Sequence, residues 1–346
     1  MAIATRKILI SSYSKRDDLS NISIVDSTIN PPGKGEVQVQ VLYVSFGGPE
    51  VSMRMGLYPM QRKAPLTPGY SFVGRVASNG PNLTKFKPGD TVAAITTYDA
   101  DSELINVLES LLLSVPLELS SKDDTLRRVA AISLDWTTAY GMVARAANVQ
   151  PGQKVFIHGL SGAVGTGIMS LCKMRGAEIY GTASKRNHEA LTELGAIPYE
   201  YTNKDWIGAM QHIGGAEAVF DPLGFESWDE SWSILSPEGI LVGYGGNYGV
   251  LNGVERPGSP YPAIIKLLLR GLLPLTKKRT NFYYINPGGD AYHSDFSALM
   301  DLLMDEKIQV PIKAVWHFDT ESIREAHRSW GRLHGMGSML VQIGKD

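Results

Sequence analysis

Lys154-Val-Phe-Ile-His-Gly-Leu-Ser-Gly-Ala-Val-Gly165 is the stretch on which the reading of this chain turns. Lys154 to His158 has a β-branched and aromatic centre and predicts a buried strand, which runs directly into Gly159, Gly162 and Gly165. Glycines at this spacing permit a tight turn, close approach of backbone to a ligand, and a helix packed closely on its strand. A helix is predicted over Ala163 to Arg175, with free N–H groups at its start suited to phosphate. The pattern is G-x-x-G-x-x-G instead of the commoner G-x-G-x-x-G. On these residues alone it is either a pyrophosphate cradle or simply a tight strand-to-helix turn.

Downstream the same rhythm repeats. Strands are predicted at Glu178–Gly181, Ala218–Asp221 and Ile240–Tyr244, separated by helical segments Asn187–Leu194, Lys204–His212 and Glu226–Leu235. Short strands joined by crossover helices predict a doubly wound parallel sheet, an α/β fold of Rossmann type. Upstream, residues 1 to about 125 read as a β-rich module without dominant helical periodicity. Glu36-Val-Gln-Val-Gln-Val-Leu-Tyr-Val44 alternates as a half-buried strand does, and Lys87-Pro-Gly-Asp90 is a turn.

The second strand of the sheet selects the cofactor. A NAD site places an acid at its end to bind the ribose 2′-hydroxyl. Here that place reads Gly181-Thr-Ala-Ser-Lys-Arg186, with no acid before Glu189. Ser184, Lys185 and Arg186 suit charge-assisted bonds to a 2′-phosphate, which favours NADPH over NADH. The plainer reading is that the two cations merely solvate a helix start.

In this context the chain resembles the zinc-free medium-chain dehydrogenases/reductases, close to the quinone oxidoreductase and enoyl or alkenal double-bond reductase branches. The resemblance rests on Gly56-Leu-Tyr-Pro59, Pro65-Leu-Thr-Pro-Gly69, Lys87-Pro-Gly-Asp90, Asp135-Trp-Thr-Thr-Ala-Tyr140, Val149-Gln-Pro-Gly-Gln-Lys-Val155, Ser161-Gly-Ala-Val-Gly165, Leu194-Gly-Ala196 and Asp221-Pro-Leu-Gly224. It implies a GroES-like catalytic domain over 1–127, a Rossmann NADPH-binding domain over 128–285, and a segment over 286–346 returning to the first domain. It also implies that Ser161, Gly162, Ala163, Val164 and Gly165 meet the pyrophosphate, and that Ser184, Lys185 and Arg186 meet the 2′-phosphate. Tyr201 falls near the family's tyrosine beside the adenosine, one residue short in spacing. Thr138 matches the threonine on the nicotinamide side, and Gly243, Tyr244 and Gly245 line the cofactor near its ribose. Tyr58, in Gly-Leu-Tyr-Pro, matches a tyrosine that serves as hydrogen-bond and proton donor in some enoyl thioester reductases, or else it packs the cleft wall.

Zinc-dependent relatives carry Gly-His-Glu where this chain has Gly69-Tyr70-Ser71, and a cysteine near Val44–Gly47. With the one cysteine at Cys172, in an apolar run, no metal site is expected. His293, His317, His327 and His334 have no mutual ligand spacing, and His158 reads as structural. Asp221 either caps a helix or touches the cofactor ribose. The chemistry moves from alcohols towards hydride addition to an activated C=C or a quinone. The alternative is a non-redox isomerase or cyclase, or a nucleotide-binding protein that retains the fold.

Composition sets the outer limits. Thirty-three basic and 35 acidic side chains give a net charge of −2, so nothing in bulk electrostatics points to nucleic acid or an anionic membrane. Leu104–Leu119 is broken by Pro116, and Ala263–Leu275 contains Lys266 and Arg270, so neither is expected to span a membrane. The start Met1-Ala-Ile-Ala-Thr-Arg-Lys7 lacks a hydrophobic signal core, and a cytoplasmic protein is expected. Between Tyr244 and Pro287, Pro257, Pro260 and Pro262 precede the apolar Ile264–Leu269 and Leu272-Leu273. This segment is expected to be a lid over a small apolar or conjugated substrate, or a homodimer face.

Overall fold

The computed structural model describes residues 1–59, 61–251, 261–272 and 276–344; Pro257, Pro260 and Leu273 lie outside them. The chain divides into two compact units: residues 1–137, 286–333 and 338–346 in the first, 138–285 and 334–337 in the second.

The first unit opens with an antiparallel ribbon of β1 (Ile3–Ile10) and β2 (Ile22–Ile29). There follow β3 (Glu36–Phe46), α1 (Gly48–Met55), β4 (Ser71–Asn79), β5 (Thr91–Ile95), β6 (Leu104–Leu108), β7 (Leu113–Ser114), α2 (Leu117–Ser120) and α3 (Asp123–Ala131). The alternation of β3 predicts a half-buried strand, yet nearly all of it is buried. It is a central strand, paired with β4 on one side and with β6 on the other. Its inward Gln38 is satisfied by Asn106 Oδ1 at 3.0 Å and the Asn30 carbonyl at 3.3 Å. Helices punctuate this unit more than the sequence pattern indicates. In α1 the Glu50 side chain folds back on the Gly47 N–H at the start, and Gly56, at φ 73°, ends the helix in the left-handed region.

Helix α4 (Thr137–Gly141) is flanked by two π-helical turns, Ile132–Trp136 and Met142–Ala146. The second unit is then built from β8 (Lys154–His158), α5 (Ala163–Met174), β9 (Glu178–Ala183), α6 (His188–Glu193), β10 (Ala196–Glu200), α7 (Asp205–His212), β11 (Ala216–Asp221), α8 (Glu226–Ser233), β12 (Leu235–Gly243), α9 (Tyr248–Leu251), α10 (Tyr261–Arg270) and β13 (Arg279–Phe282). The strands form one parallel sheet in the order β10-β9-β8-β11-β12-β13. Chain order reverses between β8 and β11, the switch point at which open parallel sheets bind ligands beyond the strands' carboxyl ends. Phe156, Trp206, Val219, Trp228, Leu241 and Leu267 belong to the core on one face of the sheet. Cys172 is fully buried in α5, and burial pushes its thiol up to about 12, which leaves it an unreactive packing residue.

The remaining elements return to the first unit: α11 (Asp290–Met304), β14 (Ile312–His317), α12 (Thr320–Ser329) and β15 (Ser338–Gln342). There β14 and β15 extend the sheet in the order β14-β15-β3-β4-β5-β7. Among the described residues no helix is long and apolar enough to cross a membrane.

Candidate active site

In the second unit the strand ends line up along one rim. Parallel register sets His158 beside Thr182, Ala183 beside Glu200, and Asp221 beside Gly243. The loops after these residues therefore carry Ser161–Gly165, Ser184–Arg186, Tyr201 and Gly243–Gly245 to the same edge of the sheet.

The turn after β8 has the geometry of an anion cradle. Gly159 takes φ 73°, and a Cβ on Gly165 would lie 2.2 Å from the Gly159 carbonyl oxygen, so α5 can start this close to the strand only with glycine there. Gly162 is the N-cap of α5 and brings no side chain to cap it. The first helical bond comes from the Thr166 N–H to the Gly162 carbonyl. The N–H groups of Ala163, Val164 and Gly165 donate to no other backbone group among the described residues, and they suit a pyrophosphate.

Beneath the turn lies a buried polar chain whose proton directions can be assigned. Asp221 is fully buried; its Oδ1 accepts the Leu223 N–H, and its Oδ2 accepts the Ser227 and Ser231 hydroxyls, each at 2.7 Å. With the Ser231 proton committed, His158 Nε2 donates to Ser231 Oγ at 3.0 Å, and His158 Nδ1 accepts the Thr182 hydroxyl at 3.2 Å. Thr182 Oγ1 in turn accepts the Gly159 N–H at 3.3 Å. Burial lowers the His158 pKa, and a neutral ring is what this chain of donors requires. Asp221 is thus committed to α8 and the loop before it, and His158 is structural.

At the end of β9, Ser184 is half-buried, and Lys185 and Arg186 are exposed. Tyr201, directly after β10, is 56% exposed. Two contributors were not legible in the sequence. Glu200 Oε2 accepts the Lys185 N–H at 2.8 Å, so a carboxylate does stand here, brought in by the neighbouring strand. The segment His334–Gly337 packs on the same rim. His334 Nε2 donates to the Arg186 carbonyl at 3.0 Å, Gly335 N–H donates to Asn187 Oδ1 at 3.2 Å, and Gly337 N–H donates to the Ser161 carbonyl at 3.2 Å. Gly243 and Gly245 have packing reasons of their own. A Cβ on the first would meet the Trp228 indole at 2.8 Å, and one on the second the Pro222 carbonyl at 2.7 Å. Thr138 is half-buried in α4, between the two π turns, a backbone irregularity common at functional sites.

Tyr58 belongs to the first unit. Its half-buried ring stands edge-on to buried Tyr70 and Tyr98, at centroid distances of 6.0 and 6.2 Å. Glu50 and Asp101 are buried carboxyls of the same unit, and Asp135 is half-buried. Glu50 accepts the Gly47 N–H at 2.8 Å and the Tyr70 N–H at 3.2 Å, and burial pushes its carboxyl up to about 7. Asp101 is raised well above the usual range by burial and by Glu50; Asp135 is pushed up to about 6 by burial, although Ser338 donates to it at 2.6 Å. Ser45, in the stretch where zinc relatives carry a cysteine, donates its hydroxyl to the Ala130 carbonyl at 2.8 Å.

Residues 33–107 match the family model described as the alcohol dehydrogenase GroES-like domain, and residues 163–270 match that of the zinc-binding dehydrogenases. The chain is 24% identical to a probable quinone oxidoreductase of Schizosaccharomyces pombe over 342 residues, 98% of each chain. It is 25% identical to the synaptic vesicle membrane protein VAT-1 homolog of Danio rerio over 320 residues, covering 89% of this chain and 64% of that protein's length. Escherichia coli quinone oxidoreductase, solved in complex with NADPH, superposes with a TM-score of 0.81 at 19% identity, over 98% of this chain and 100% of that one. A GroES-like first unit and a parallel-sheet second unit, each matched by its family model in the same order, establish that the chain belongs to the medium-chain dehydrogenase/reductase superfamily.

Proposed function

We propose that the protein is an NADPH-dependent reductase that delivers hydride to an activated C=C, as in an enone or enoyl thioester, or to a quinone, without zinc. The observation that carries this reading is the uncapped start of α5 over the Gly159–Gly165 turn, together with the hydroxyl and cations of Ser184, Lys185 and Arg186 on the same rim. When bound, reduced nicotinamide supplies the hydride. The chain's part is to hold, orient and protonate. The N–H groups of Ala163, Val164 and Gly165 hold the pyrophosphate, and Ser184, Lys185 and Arg186 hold the 2′-phosphate. Tyr201 flanks the adenosine, Gly243, Tyr244 and Gly245 the ribose, and Thr138 the nicotinamide. Tyr58 donates a hydrogen bond from its phenol to the oxygen that gains negative charge, then passes that proton to the substrate and takes one back from solvent, and its ring neighbours hold it in place. Where zinc-dependent relatives carry a histidine and a cysteine this chain has Tyr70 and Ser45, and the Ser45 hydroxyl is committed to the Ala130 carbonyl, so neither position offers the imidazole or thiolate that holds zinc. The substrate is small and apolar or conjugated.

The same reading gives the protein a homodimer. Helix α10 turns Leu267 into the core, while Ile265, Leu268 and Leu269 are 44–58% exposed along it and Leu272, just after its end, is 76% exposed. Beside it β13 is the edge of the parallel sheet, and a second copy of this chain would cover both.

NADPH oxidation assayed across enones, enoyl thioesters and quinones is expected to show turnover with at least one class. Ser184→Ala combined with Lys185→Ala is expected to weaken NADPH binding about 10- to 100-fold, and Tyr58→Phe to lower kcat about 100-fold with NADPH affinity retained. Tight NADPH binding with no oxidation by any class would turn the reading to a non-redox member of the family. Full activity in the Tyr58 variant would remove that residue from the reaction.

A further inference from the structure

We propose that Glu200 determines the balance between the two nicotinamide dinucleotides, by opposing the 2′-phosphate that Ser184, Lys185 and Arg186 attract. The inference rests on reading the β8–α5 turn as a dinucleotide cradle. Along the sequence no acid follows β9 before Glu189, which is the pattern of a site open to a 2′-phosphate. In space that pattern is incomplete. Register in the parallel sheet sets Glu200, the last residue of β10, beside Ala183, the last residue of β9. Its half-buried carboxylate is anchored on the Lys185 N–H at 2.8 Å, inside the trio of residues proposed to hold the phosphate.

The groups present therefore act in opposite directions on a near-dianionic phosphate. The Lys185 and Arg186 side chains attract it, and the Ser184 hydroxyl can donate to it, while Glu200 repels it. A ribose that ends in a hydroxyl feels no such repulsion, and a carboxylate can accept its hydrogen bond. His334, whose Nε2 donates to the Arg186 carbonyl, packs beside this cluster. A carboxylate in this place narrows the preference for NADPH instead of abolishing it.

The test is nucleotide affinity of the intact chain, measured by titration calorimetry for NADPH and for NADH in wild type and in Glu200→Gln. The amide keeps an oxygen to accept the Lys185 N–H, so the loop retains its anchor. NADPH is expected to bind about tenfold more tightly to the variant, the change that follows from removing one like charge beside a phosphate in a water-rich setting. NADH affinity is expected to stay within about twofold, and the NADPH gain is expected to shrink at high salt. Unchanged NADPH affinity, or an equal change for both nucleotides, overturns the role of Glu200 while leaving the cofactor reading intact. A wild type that binds NADH alone and a variant that gains NADPH would support Glu200 and overturn the NADPH assignment. Binding of neither nucleotide to wild type overturns both. Should the glutamine variant fail to fold, Glu200→Ser, neutral and small, carries the same outcomes.

Discussion

Gly165 and Gly208 show how differently two glycines serve one domain. A methyl on Gly165 would run into the Gly159 carbonyl at 2.2 Å, whereas Gly208, exposed inside α7, has nothing within 4 Å of an added Cβ. Gly165→Ala is therefore expected to cost about 1–3 kcal/mol and to loosen nucleotide binding, because α5 must move off its strand. Gly208→Ala is expected to gain about 0.5–1 kcal/mol from helix propensity alone. Denaturant melts of both variants check this, and equal effects would mean that Gly165 is not needed for close packing. The motif that contains Gly165 is legible from spacing because glycine's geometry is a property of the residue. Glu200 is not, since its place beside Lys185 arises only when two strands pair. The same holds for Asp221, whose helix-ward and ribose-ward readings stay level until Ser227 and Ser231 are seen to take its buried oxygen.

Helix α1 carries an acid that has no business being ionised where it sits. Glu50 has a folded pKa of about 7, raised by burial and by Asp135, so its favourable contribution is fully present below its unfolded pKa and is lost as pH rises through about 7. Glu50→Gln cannot ionise. Relative to wild type, the variant is expected to gain stability between pH 5 and pH 8, by at most about 3 kcal/mol. Melting curves of both proteins at the two pH values measure this double difference, and a difference that stays flat would mean that Glu50 is ionised throughout. Comparing variant with wild type cancels buried His158 and His327, whose lowered pKa values act in the opposite sense. The helix itself is hard to read in the sequence, because Gly47, Pro49 and Gly56 look like loop residues and act here as its cap, its first turn and its stop. Strand β10 is missed for a related reason: Ala196-Ile-Pro-Tyr-Glu200 has a proline, tolerated because β10 is the outermost strand of its sheet.

For the molecule as a whole, the alternation of strand and helix from residue 154 onward reveals the parallel sheet, since each crossover needs a helix-length segment. Which strand lies at each edge is not written in that alternation. The homodimer proposed above would use the edge formed by β13, and replacing Ile265 and Leu269 on α10, 57% and 58% exposed, with aspartate is expected to halve the mass seen by sedimentation. A wild type that sediments as a monomer removes the homodimer. The segment His334–Gly337 counts with the second unit although the chain on either side of it belongs to the first. Glycine-rich linkers of this kind are the usual choice for a protein engineer who wants to cut, permute or splice a chain. Here the linker holds peptide groups of Ser161 and Arg186 and the side chain of Asn187, so new termini at this point would undo the cradle from a site far from it in sequence.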